Sequence, residues 1–129
     1  MKNKNPFFKN PERPVYEIGG LLRQLPEGLV PSELTSETRL VAEAVRLHAL
    51  NGVSSVFSSI QALGELMTIA AGNRQEEISP ICQMDIAFLF QNLGSEGQFM
   101  SETENSMRYL LGINPCQIKE IREQSARVA

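Results

Sequence analysis

The 129 residues contain no tryptophan, one histidine and two cysteines. A lone histidine confines any Ser-His-Asp arrangement to His48, and no serine stands in a G-x-S-x-G elbow that would require it. A zinc site needs four ligands, and His48 with the scattered Cys82 and Cys116 falls short of that number. The cysteines form no C-x-x-C pair, so they are expected as reduced, small, buried side chains. No glycine-rich phosphate loop is present, because "EIGGLL" lacks both the spacing and the lysine. The carboxylates are spread along the chain without a marked pair. These absences predict no catalytic residues, no metal and no cofactor. The chain also lacks an apolar run of bilayer-spanning length, and its start has no apolar core of a signal peptide. The expectation is a cytoplasmic protein with no membrane partner.

The charge is unevenly placed. Residues 1–14 hold Lys2, Lys4, Lys9 and Arg13 against Glu12, a net of +3, which leaves −6 for the rest of a chain whose total is −3. A basic arm therefore precedes an acidic body, and an acidic body is a poor duplex-binding surface. Pro6, Pro11 and Pro14 disfavour helix in this arm, which reads as extended. Its apolar anchors are Phe7 and Phe8, candidates for docking on the body or on a partner. The chain divides into this arm, 1–14, and one helical domain, 15–129.

Beyond Ser32 the periodicity is helical and strand-like alternation is nearly absent. Segment 33–50 carries Leu40, Val41, Ala44, Leu47 and His48 at helical spacing, and segment 53–71 carries Val53, Val56, Ile60, Leu63 and Met67. The two stripes differ in azimuth by about a third of a turn. Asn51-Gly52 between them predicts a break or kink within residues 50–53. Gly72-Asn73 ends the second segment, and Ser79-Pro80 starts a central apolar helix that Gly94 is expected to stop. Ser101 and Glu104 have the spacing of a capping box for a helix running to Gly112, and Asn114-Pro115 opens a last one. The fold class is all-α, a compact bundle of about five helices with short links.

The segment "SSVFSSIQALGELM", residues 54–67, places four serines in six positions of a helix that does not favour them. Ser54 and Ser58 point away from the apolar stripe. Ser55, Ser59, Ala62 and Leu66 form a second, small-residue stripe that suits close approach of another helix, within the chain or across a homodimer.

The stretch "RLHALNGVSSVF", residues 46–57, resembles the phospho-accepting helix of histidine phosphotransfer domains, with His48, Leu50 and Gly52 in matching places and Asn51 where that family carries lysine. The resemblance implies His48 as phosphoryl acceptor and Gly52 as the point of partner approach. The periodicity places His48 on the apolar face, which predicts burial. The leading expectation is a small non-enzymatic protein-binding regulator, of the adaptor, inhibitor or chaperone kind. A phosphotransfer domain using His48 and a nucleic-acid-binding regulator are the alternatives, the last carried by Lys119, Arg122 and Arg127 and offset by Glu120 and Glu123.

Overall fold

A computed structural model describes residues 4–73 and 77–113. Among them are three α-helices and one 3-10 turn: α1 Pro14–Leu22, the turn Pro31–Glu33, α2 Ser36–Gly72 and α3 Pro80–Leu110. The class is all-α, but the expected bundle of about five helices is not found: the four anticipated between residues 33 and 112 merge into α2 and α3, because two anticipated interruptions do not interrupt, and α1, which runs through Gly19-Gly20, is an addition. The last anticipated helix, from Asn114, lies outside the described residues.

The first missing interruption is Asn51-Gly52. The helix runs unbroken for 37 residues through it. The two stripes do differ in azimuth, and they do so because they face different neighbours. Val41, Ala44 and His48 face α1 and the arm, while Val56, Ile60 and Leu63 turn toward α3. Gly52 serves packing instead of a turn. A Cβ there would lie 2.7 Å from Sδ of Met100, which is itself fully buried. Gly97 does the same in reverse, since its Cβ would stand 3.2 Å from Cγ1 of Val56. Together the two glycines let α2 and α3 approach closely where they pass.

The second missing interruption is at Gly94 and Ser101. Both lie inside α3, which is 31 residues long. Gly94 has open space beside it and a propensity cost of about 1 kcal/mol, which the packing of α3 along α2 offsets. The capping box does not form, because Glu104 is drawn into an interhelical ion cluster. The real caps lie elsewhere. Thr35 and Thr38 exchange backbone and side-chain bonds at the start of α2. Ser79 Oγ accepts from the Cys82 amide at 3.2 Å at the start of α3, with Pro80 following as expected. Gly112, at φ +68°, turns the chain after α3, with the Ile113 amide reaching back to the Arg108 carbonyl.

The arm is not extended. It folds back through turns, with the Asn5 amide donating to the Leu40 carbonyl at 2.7 Å, and both Phe7 and Phe8 pack on the core. That core is formed by Ile18 and Leu21 of α1, Val41, Ala42, Ala44, Val45 and Ala49 of α2, and Met100, Met107 and Leu110 of α3. Each of the larger of these side chains stabilises the fold by about 1.5–3 kcal/mol on burial. The molecule thus has two parts. The base holds the arm, α1, residues 36–52 of α2 and residues 98–110 of α3. The limb is the remaining α2–α3 hairpin, residues 53–73 and 77–97.

Packing at Gly52 has a direct test. Gly64→Ala, with nothing near its Cβ, should raise stability by about 0.5–1 kcal/mol through helix propensity. Gly52→Ala gains the same term but overpacks Met100 at about 1–3 kcal/mol and should be net destabilising. Denaturant midpoints of the two variants should move in opposite directions. Equal shifts would remove the packing role of Gly52.

Candidate functional site

Three features of the described residues have the makings of a site: His48, the Glu104 cluster, and the apolar surface of the limb. His48 projects from the α2 face that the arm covers. Its ring centroid lies 4.6 Å from that of Phe8, tilted by 46°. The residue is fully buried, and neither ring nitrogen has a hydrogen-bond partner. Desolvation lowers its pKa below the ordinary value, partly opposed by the carboxylates of Glu17 and Glu12. The neutral ring is therefore the folded form. An acceptor for phosphoryl transfer must meet a partner's phosphoaspartate, and here both nitrogens lie beneath the arm. Gly52, which the resemblance makes the point of partner approach, is covered by Met100.

Glu104 joins the two long helices. Its Oε1 accepts from Nε of Arg46 on α2 at 3.1 Å and from Nε of Arg108 at 3.2 Å, and its Oε2 pairs with Nη2 of Arg108. The carboxylate is buried while both arginines keep partial access to water. Sequence reasoning assigned Glu104 to a cap. The signal for its real role was the Glu104–Arg108 spacing of one helical turn. A charge paired with an arginine of each long helix fixes the register of α2 on α3. A groove of about 640 Å³ does lie nearby, between Leu25, Leu29, Met107 and Leu110. It holds no cluster of titratable groups, and among the described residues no three metal-ligating side chains come together.

The limb is different in kind. Phe57, Leu66, Ile69, Ile81, Met84 and Phe88 are all more than half exposed. Leu63, Leu66 and Met67 with Ile78, Cys82 and Ile86 line an almost purely apolar groove of about 260 Å³ between the helices. Cys82 is free and exposed on this groove, where a buried side chain was expected. Ser55, Ser59, Ala62 and Leu66 are exposed together on one flank of α2, and no helix among the described residues covers them. Phe7 and Phe8 are far from this stripe in role, since they close the base. By length and composition α2 also meets the measure of a membrane-crossing helix, where no such run was anticipated.

No family model matches the chain, and no curated protein and no solved structure matches it. The residues alone carry the functional reading.

His48 makes the base sensitive to acid. Its folded pKa is lowered, so the unfolded chain binds a proton first as pH falls. The contribution of neutral His48 is complete above about pH 6.5 and is lost as pH drops through the lowered folded value. Melting temperature should fall between pH 7.5 and 5.5 in the native protein and much less in His48→Gln. Parallel pH profiles would show that His48 is not the titrating group.

Proposed function

We propose that this chain is a non-enzymatic protein-binding module with a regulatory role, in which the base is a folded support and the limb is the docking surface. The observation that carries the reading is the number of large apolar side chains left exposed along the limb, Leu66, Ile69, Ile81 and Phe88 among them. Monomeric proteins seldom leave contiguous apolar patches beyond about 300–600 Å² without a partner. A two-helix hairpin has only one mutual seam, so apolar residues on its flanks find burial only against something added.

The chemistry of the limb favours protein as that addition. Its described residues include no lysine or arginine. Phosphate-rich partners gain most of their affinity from such cations, so nucleic acid and anionic lipid find little purchase. The phosphotransfer alternative retains an unbroken helix around His48, but it requires the arm to lift Phe8 from the ring before any chemistry begins. Lys119, Arg122 and Arg127, on which the nucleic-acid reading rests, lie outside the described residues.

Tagged wild type, Phe88→Glu and His48→Gln, introduced into the native cell, separate these readings. Wild type and His48→Gln should retain the same protein partner, and Phe88→Glu should lose it by tenfold or more. A partner kept by Phe88→Glu, or lost only in a folded His48→Gln, would contradict a docking role for the limb.

A further inference from the structure

We infer that the limb pairs with the limb of a second copy of this chain, closing a four-helix bundle. The inference deepens the docking role proposed above and rests on it.

The argument begins at the base. The face of α2 that carries Val41, Ala44 and His48 is covered there by α1 and by Phe8. Advancing at 100° per residue, the same face continues beyond His48 through Ser55, Ser59, Ala62, Leu66 and Ile69. Among the described residues cover stops there, but the face does not. On α3 the antiparallel packing turns Ile81, Phe88 and Leu89 to this same side. The Arg46–Glu104–Arg108 cluster marks the opposite flank, where Phe57 stands alone. One composite face therefore runs along the limb, with large side chains toward the tip and small ones toward the base.

Its extent suits a second copy. Leu66, Ile69, Ile81, Phe88 and Leu89 are between 42% and 77% exposed. Together they present roughly 600 Å², and the small residues below them bring the face toward the ~800 Å² that each partner of a standard interface buries. Two antiparallel helix pairs meeting face to face make the ordinary four-helix arrangement, in which small residues at one end admit close approach. The face carries no cation among its described residues, and Asp85 and Glu96 lie within its α3 half, at helical spacing with Ile81, Phe88 and Leu89. Both are acidic, so like charges meet across such a pair. Association should then strengthen with added salt, the reverse of what a cationic partner would show.

Sedimentation of the full chain from low to high micromolar concentration tests this, at low and raised salt and with neutral phosphatidylcholine vesicles as a separate arm. Wild type should form a species of twice the 14.3 kDa chain mass, favoured by salt. Ser59→Arg, at a position exposed in the single chain, should weaken dimerisation at least tenfold with helical circular dichroism intact, and Phe88→Glu should do the same. Phe57→Glu, on the other flank, should leave the dimer in place. Wild type that stays monomeric throughout overturns the inference, as does a dimer indifferent to Ser59→Arg or lost with Phe57→Glu. If that monomer loses a heterologous partner on Phe88→Glu, the docking role survives and only the second copy is wrong. If it binds vesicles instead, lipid is the occupant and both fall.

Discussion

The structure depends on one unbroken helix serving two neighbours at different azimuths. Along α2 the apolar stripe shifts around the axis, and each part of the shift has a consequence. Near the start, Val41, Ala44 and His48 take the arm and α1. Further on, Val56, Ile60 and Leu63 take α3. Gly52 and Gly97 allow the two long helices close contact where these duties overlap, and Glu104 holds their register with Arg46. If α2 broke at Asn51-Gly52, the base and limb would lose the continuous helix that joins them, and Gly52 its contact with Met100.

The same geometry leaves the two ends unequal. In the base every face of α2 but one is covered, and Phe8 closes over His48 at its edge. In the limb only the seam with α3 is covered. Stability follows burial, so the base should form the last-opening unit and the limb the first. This division also orders the functional possibilities. Groups with chemistry, His48 and Glu104, are sealed in the part that supports. The accessible apolar surface lies in the other part, and that is the ground for the docking role proposed above.

Much of the architecture was legible in residues with local effects. Ser79-Pro80 starts α3, Gly72 ends α2, and Gly112 follows α3, because caps act over one turn and need no knowledge of the rest. Burial of His48 followed from its place on an apolar face. What was not legible depended on contacts distant in sequence. Gly52 reads as a turn until Met100 is known to fill the space beside it. Glu104 reads as a cap partner until Arg46, 58 residues earlier, claims it. Pro6, Pro11 and Pro14 indicate an extended arm, and only the Asn5 bond to Leu40 and the Phe8 contact with His48 show it folded back. The small-residue stripe was legible as a stripe, but not that the described helices leave it exposed.

Amide hydrogen exchange across a range of protein concentrations addresses the central claim most directly. Backbone amides of the base, in residues 41–52 and 100–110, should exchange slowly at every concentration, since their cover is supplied by the chain itself. Those of the limb, in residues 55–70 and 81–93, should exchange quickly in dilute protein and slow markedly as concentration rises. Limb protection equal to that of the base at the lowest concentration, or unchanged across the series, would contradict a self-sufficient base carrying a limb completed from outside.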